Sequence, residues 1–487
     1  MLLPWLNPFA PGPTPGVGPL LFSWLCSVVL VVAWTFWGSE ATTEHAARAI
    51  ATAWLCAALL SCLAGMLQYF GQSPALAPWV SLTGMGEAYG NLRQRNQFAT
   101  LTSVGLLALL WQVAQPQPQP ARWGVWLVGA ALLALGNAAS GSRTGLLQWG
   151  GIVLLLVLWR TRAPRRVLVV GLAAVLLYVA AVRGLPWLLE ATTGFQAAGL
   201  MGRLNEDVGC GSRRVLWANV LHLITLKPWL GWGWGELDYA HFVTLYPGER
   251  FCDILDNAHN LPLHLAVEAG VPVAALICGL LARQVWVARP WRAAGANRQL
   301  AWGVLAVIAL HSLVEYPLWY GPFQLATVLG AWLLWREAVP AKSSMKKTAL
   351  ARVFIGVIAI VCIAILAYAA WDYRRVSQLY VAYDARVAAY RDNTLEKARS
   401  SWLFQEQVGF AELSTTALQP EIAAYLHASA RWLLHFSPEP RVAQKLIDSA
   451  TLLGRSEEAR FFAERYQAAF PQSYQDWVAA SGRDEAP

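Results

Sequence analysis

The sequence predicts an all-α, polytopic membrane protein with about ten transmembrane helices, a long outer loop and a C-terminal helical domain. Three observations carry that prediction. The chain has 487 residues, is 56% hydrophobic and only 14% charged, and holds 26 tryptophans. That is more apolar surface than a water-soluble domain can bury. Apolar runs of membrane-crossing length recur between Leu20 and Trp371. The stretch Asp372–Pro487 breaks the pattern, with 13 Lys/Arg against 15 Asp/Glu. The residues before it carry 24 Lys/Arg against 14 Asp/Glu and account for the formal charge of +8. In a membrane chain such an excess reports which loops stay inside. No basic stretch outside the spans is interleaved with exposed aromatics, which argues against nucleic acid as a partner.

Spans are expected at residues 18–37, 47–69, 97–114, 123–138, 144–159, 167–189, 260–282, 301–318, 320–335 and 351–371. Three basic stretches mark the cytoplasmic side: "RTRAPRR" (Arg160–Arg166), "ARQVWVARPWRAAGANR" (Ala282–Arg298) and "WREAVPAKSSMKK" (Trp335–Lys347). "QPQPQPAR" (Gln115–Arg122) then reads as a stiff cytoplasmic connector. The segments around Arg95, Arg143 and His311, the loop 190–258 and the C-terminal domain all fall outside. An even number of spans puts the N-terminus outside too. Its opening "PWLNPFAPGPTPG" (Pro4–Gly16) lacks the basic start of a cleaved signal and reads like a connector whose preceding helix is missing.

The chain divides into a membrane domain, 1–371, and a helical domain, 372–487. In the latter, "LIDSATLLGRSEEARFFAERYQAAFP" (Leu446–Pro471) shows two amphipathic runs around Gly454, resembling one tetratricopeptide-like unit. No carboxylate pair or Cys/His cluster stands out there, so packing or partner docking is its expected role. Five cysteines (Cys26, Cys56, Cys62, Cys278, Cys362) lie in apolar spans, where a thiol behaves as a small hydrophobe. Cys210 and Cys252 both lie in the outer loop and are a candidate disulfide if the outside is oxidising. No CxxC or Cys/His metal spacing occurs.

The conspicuous polar residues collect on the outer face. "GNLRQRNQFAT" (Gly90–Thr100) puts Arg93, Arg95, Asn96 and Gln97 at the start of a span. "ASGSRTG" (Ala139–Gly145) places Arg143 in a short turn between two spans, where anchoring to lipid headgroups is the bland alternative. "GSRRVLW" opens with Arg213 and Arg214, and Arg213, Trp217, Leu221 and Ile224 form a stripe expected of a helix lying on the membrane. "HSLVEYPLWY" sets His311 and Glu315 at i,i+4, as a functional or a purely structural pair. His222 and His241 read as loop residues and His264 as a packed one. The alternating Trp and Gly of Trp229–Gly235 lack the strand and Lys-Ser/Thr of a phosphate loop and read as a tightly turned surface segment. His259 differs from the other histidines. In "DNAHNLPLHLAVEAG" (Asp256–Gly270), Asn260 is an expected N-cap and Pro262 suits a first helical turn. His259 would then stand at a helix start, where free N–H groups favour an anion, as a candidate general base.

In order and topological position, "NLRQRNQFAT", "GSRTG", "SRRVLW" with "PWLGWGWGEL", "HNLPLHLAVEAG" and "HSLVEYPL" resemble the bacterial O-antigen ligase superfamily, specifically its protein O-oligosaccharyltransferase branch. The resemblance runs from about Gly65 to Trp335, and the C-terminal domain resembles the helical extension of that branch. It implies a glycosyltransferase of the bacterial inner membrane with a periplasmic active site. Its donor would be an undecaprenyl-diphosphate-linked oligosaccharide, and its acceptor a Ser/Thr hydroxyl of a periplasmic protein, pilins among the candidates. His259 would act on the acceptor, and Arg143 and Arg213 would lie near the diphosphate. Asn260, Glu268, Gln97, Asn96, His311, Glu315 and Arg214 would support them. No cofactor and no metal are expected, although Glu206, Asp207, Asp253 and Asp256 leave an ion open. The alternatives are ligation of O-antigen to lipid A–core, polymerisation of repeat units, or, from another class, a glycan flippase. A flippase would spread its charges along a mid-membrane path, whereas here they gather at one face.

Overall fold

The computed structural model describes the chain apart from residues 37–41, 117–122, 198, 201, 203–208, 339–348 and 481–487. Most of the connector after Gln115, part of the third basic stretch, and Glu206 and Asp207 therefore lie outside the described residues. The regular structure of the described residues is all helical, without strands, in a multi-pass membrane protein. Packing gives two bodies. One comprises Met1–Ala10, Pro15–Glu206 and Arg283–Ala367; the other comprises Pro11–Thr14, Asp207–Ala282 and Tyr368–Pro487. The second draws residues from both sides of the boundary read at residue 371.

Single helices answer to nine of the ten expected spans, and two helices share the tenth. They are α1 (Val17–Phe36), α2 (Thr43–Tyr69), α3 (Arg95–Ala114), α4 (Trp123–Ser140), α5 (Arg143–Trp159) and α6 (Arg165–Thr193). After the long loop, which holds α7 (Arg213–Leu226), α8 (Leu237–Val243) and α9 (Leu261–Ala269), come α10 (Val271–Ala288), α11 (Ala296–Ser312), α12 (Gly321–Ala338) and α13 (Ala349–Ser377). Among the described residues seven of these are long and apolar enough to cross a membrane; α5 is a shorter apolar helix.

α3 runs through the middle of the first body, against α2, α4, α5, α6 and α11. That position explains its composition. A helix surrounded by protein can carry Thr100, Thr102, Ser103 and Gly105, all buried, where a lipid-facing one would carry larger apolar groups. A Cβ on Gly105 would lie 2.3 Å from that of Ala58, so glycine there lets α2 and α3 approach closely. By contrast, α10 buries only Ala274.

Bonds across this body sort its ends. Trp159 Nε1 donates to Pro290 O (2.9 Å), Arg166 Nη2 to Ala114 O (2.9 Å), and Asn297 Nδ2 to Glu337 Oε1 (2.9 Å). The described parts of all three basic stretches thus share one end. The starts of α3 and α5 and the end of α11 share the other, joined through Asn96.

One expected span is corrected. Residues 260–282 do not form a single helix: Gly270, at φ +89°, ends α9, and a separate helix begins at Val271. Apolar sequence runs unbroken through the junction and hides the break. Pro272 in the first turn of α10 needs no N–H partner, so a new helix starts there at little cost. His259 therefore precedes a short helix of the loop and not the membrane helix itself.

In the second body the loop has a core of its own. Val215, Leu216, Val220, Leu223 and Ile224 of α7 meet Ala266 and Val267 of α9, with Leu237, Phe251 and Leu255. Of the expected surface stripe of α7, Ile224 is drawn into this core. The helix's more apolar rows face α9; Trp217 is half-buried and Leu221 points out. The Pro-rich opening is also anchored, since Thr14 N donates to Tyr373 Oη (3.0 Å) and Tyr373 Oη to Thr14 O (2.8 Å).

The C-terminal residues form antiparallel pairs: α14 (Gln405–Thr415) with α15 (Ala423–Leu433), then α16 (Pro440–Leu452) with α17 (Ser456–Ala469), followed by α18 (Pro471–Ala480). Gly454, at φ +72°, turns the chain between α16 and α17, at the position the amphipathic pattern marked. The loop helix α8 rests on these pairs. Phe242 is buried among Phe410, Leu426, Phe462 and Tyr466; Arg465 Nε donates to Val243 O (3.0 Å); His435 stacks on Tyr239 at 3.8 Å and meets Glu236 at 2.7 Å.

Candidate functional site

In the first body, polar residues from three motifs form one buried network. Ser142 caps α5: its Oγ accepts from Gly145 N (3.0 Å) and donates to Asn96 Oδ1 (2.7 Å). The Asn96 amide donates in turn to Glu315 Oε1 (3.1 Å). One turn along α3, Thr100 Oγ1 meets His311 Nδ1 (2.9 Å) and accepts from Gln148 Nε2 (2.8 Å). Glu315 and His311 thus both face α3, and each has its own partner there. Arg143 is the first residue of α5, set by its Ser142 cap, with no acidic residue in that first turn. Arg95 holds the same position in α3 and faces Glu87 at 3.2 Å. Arg93 bonds Pro8 O. Gln97 is buried, its backbone N–H bonded to the Gln94 side chain.

In the second body, Ser212 caps α7 by accepting from Val215 N (3.3 Å), and Arg213 is the first helical residue, again with no acid in the first turn. Arg214, beside it, is exposed. One turn later, Trp217 Nε1 donates to Ala258 O (3.0 Å), tying α7 to the residue before His259. The Cys210–Cys252 disulfide, with Cα atoms 5.3 Å apart, closes the loop between the same two segments. Asn219 adds a second tie, donating to Glu249 O (2.9 Å) and accepting from Phe251 N (2.8 Å).

His259 has a left-handed backbone, φ +48°, a conformation unusual for a residue with a Cβ. Asn257 Oδ1 accepts its N–H (2.8 Å), and Asn260 Oδ1 caps α9 by accepting from Leu263 N (3.0 Å). Behind it, His264 and Glu268 are buried as an i,i+4 pair, Nε2 to Oε2 at 3.4 Å. Burial, and secondarily the charge of His259, lowers His264 to about 4. Burial raises Glu268 to about 7, against the Gly235 N–H that favours its charged form.

The Trp-Gly segment closes the far end of α9. Trp232 N donates to Val267 O (2.8 Å), Gly233 N to Glu268 O (3.0 Å), and Gly235 N to Glu268 Oε1 (3.0 Å). The first two satisfy carbonyls that a helix end leaves unpaired and the third a side-chain carboxylate, so none of the three is available to a phosphate. A Cβ on Gly231 would fall 2.3 Å from Glu268 O and one on Gly270 2.1 Å from Trp229 O, so both must be glycine. Trp229, Leu230 and Trp234 are strongly exposed, next to the start of α10, where Val271 N bonds Pro228 O (2.8 Å).

His241 is structural. Its ring bonds Tyr246 Oη (2.8 Å) and Phe251 O (3.1 Å), and burial, then the charge of Arg250, lowers it to about 3. His222 lies near the ring of Tyr246. The sequence reading missed Asp238, buried beside His241, which burial raises to about 8. It also missed Thr100, Gln148 and Asn257. Only Asn257 had a signal, an Asx residue two before the histidine whose N–H it accepts. Among the described residues no group of three His, Cys, Asp or Glu side chains could hold a metal ion.

A multi-pass helical membrane protein with capped, arginine-bearing helix starts and a disulfide-tied loop is the class that fold and site define. Residues 128–278 match the O-antigen ligase family, residues 88–111 the protein glycosylation ligase family, and residues 299–483 the C-terminal part of virulence factor membrane-bound polymerases. The chain is 25% identical over 291 residues to a general O-oligosaccharyltransferase of Acinetobacter baylyi, covering 55% of this chain and 47% of that protein. It is 29% identical over 237 residues to an O-antigen ligase of Pseudomonas aeruginosa, covering 48% of each. The chain spans about half the length of the curated relatives it matches, and no solved structure matches it. These matches support a likeness to the O-antigen ligase superfamily, with its protein O-oligosaccharyltransferase branch.

Proposed function

We propose that this chain is a glycosyltransferase that moves a glycan en bloc from an undecaprenyl-diphosphate carrier to Ser/Thr hydroxyls of periplasmic proteins, at the outer face of the bacterial inner membrane. One observation carries the reading. Arg143 and Arg213 are each the first residue of a serine-capped helix, Ser142 accepting from Gly145 N and Ser212 from Val215 N. The N–H groups of a helix start, with the positive end of its dipole, favour an anion such as a diphosphate. The general O-oligosaccharyltransferase relative and the protein glycosylation ligase match support the protein acceptor.

In this reaction the acceptor oxygen attacks the anomeric carbon of the first sugar. The bond from that carbon to the diphosphate oxygen breaks, and undecaprenyl diphosphate leaves. His259 takes the proton of the attacking hydroxyl. Arg143 and Arg213 stabilise the charge growing on the leaving group, which planar guanidinium donors can do without a metal. Asn96 and Glu315 hold the Ser142 cap, His311 bonds Thr100 one turn along α3, and Gln97 is buried at the start of that helix. Asn260, Glu268 and Arg214 support the His259 and Arg213 helix starts.

The O-antigen ligase match favours one second reading, transfer to lipid A–core. The test is co-expression with a pilin and a lipid-linked glycan pathway, in cells that also make a lipid A–core acceptor. The pilin should gain the mass of the glycan, and the gain should vanish with His259→Ala in chain that is still inserted. Glycan on lipid A–core alone would move the acceptor to the second reading. Near wild-type transfer by the variant would remove His259 from the mechanism.

A further inference from the structure

A buried carboxylate sits where the last apolar helix meets soluble-type sequence. Asp372, on α13, is 0% exposed. Its Oδ1 accepts from Arg375 Nε (3.0 Å) and Nη2 (2.6 Å). Its Oδ2 accepts from Ser401 Oγ (2.9 Å), Trp402 N (3.2 Å) and Leu403 N (3.1 Å). A buried charge is tolerable only with such a full set of partners.

What this clamp holds is unusual for a soluble surface. Trp402 and Leu403, whose backbone it fixes, are 72% and 43% exposed. The Trp402 ring lies 6.5 Å from Tyr368, and Tyr368 lies 5.7 Å from Trp371, which is 48% exposed under Arg375. Beyond α13, Tyr380, Tyr383 and Val387 are exposed as well, with Arg386 and Arg391 each 6.0 Å from the Tyr383 ring. Tryptophan, tyrosine and arginine at the end of a membrane helix form the composition of a membrane–water interface.

We propose that residues 368–403 form an interfacial collar, in which Trp402 and Leu403 enter the lipid headgroup region beside Trp371 and the Asp372 clamp fixes their depth. The occupant is the bilayer surface, because the aromatic cluster continues directly from an apolar helix long enough to cross it. Trp229 and Leu230 repeat the pattern at the start of α10. The collar would set the height of the C-terminal helices above the lipid.

A nitroxide depth measurement tests this on the full chain in nanodiscs of phosphatidylethanolamine and phosphatidylglycerol. The free cysteines Cys26, Cys56, Cys62, Cys278 and Cys362 are replaced by alanine and the disulfide is kept. Spin label is placed by Trp402→Cys and, as an aqueous control, by Glu457→Cys. The label at 402 should favour collisions with oxygen over a nickel chelate several-fold more than the control. Adding Asp372→Asn, or Ser401→Ala should that chain fail to fold, should move it toward the control. Equal nickel access at both positions overturns the collar. Exclusion of both reagents at 402 also overturns it and points to cover by protein, a second copy included. An unchanged depth in the clamp variants overturns the role of Asp372.

Discussion

Arg143 and Arg213 show how far a single residue type can be read. Each follows a serine that caps a helix, and the S-R pair in both motifs is visible in the sequence; what is not visible is that Asn96 and Glu315 meet behind Ser142. Hydrogen bonds between side chains 46 and 219 residues apart leave no local trace. If these arginines hold the diphosphate by two-point contact, Arg143→Lys and Arg213→Lys should each lower transfer by about 10–100-fold while keeping the charge. Normal turnover and donor binding in both alanine variants would make them headgroup anchors only.

The buried Glu268 gives a pH signature. Its carboxyl titrates near 7 when folded, against 4.5 for the free group. Between those values the folded chain holds a proton that the unfolded chain has lost, so this group's contribution to stability falls as pH rises from 4.5 to about 7. Glu268→Gln keeps an acceptor for Gly235 and removes the titration. The variant should therefore gain on the wild type across that window, by an amount on the order of 1–3 kcal/mol. Melting in detergent at pH 5 and pH 7.5 checks the direction, and a gap independent of pH would refute it.

Among elements, the long apolar helices were legible because membrane-crossing length and composition leave few alternatives. The break at Gly270 was not, because hydrophobicity continues through it. Its cause is a backbone contact with Trp229, about forty positions earlier, and only the glycine hinted at it. The disulfide was legible by location, since Cys210 and Cys252 share the loop. It joins the segment leading into Arg213 to the segment leading into His259. Replacing Cys210 by serine should lower stability by roughly 3–4 kcal/mol in the chain-entropy model, and transfer should fall with it. Melting with and without reductant measures this: reductant should lower the midpoint of the wild type and leave the variant unmoved.

For the whole molecule, the all-helical membrane architecture and the shared end of the basic stretches followed from composition and charge. The composition of the second body did not, because nothing local says that the loop packs with the C-terminal helices. With two arginines in the role a cation would fill, transfer by purified protein should survive excess EDTA. Activity lost to chelation and restored by Mg²⁺ or Mn²⁺ would instead assign an ion to the loop carboxylates, Asp253 and Asp256 first.

The seat of α8 has a consequence for how the protein comes into being. Phe242 and Val243 are made midway through synthesis, yet the groups that receive them, from Phe410 to Tyr466, are made nearly last. A nascent chain can thus thread its helices into the membrane and close the loop's own core while α8 still waits for its support. Completion of translation and maturation of that loop are coupled, and a ribosome that stops early releases a protein with Phe242 bare and open to quality-control proteases.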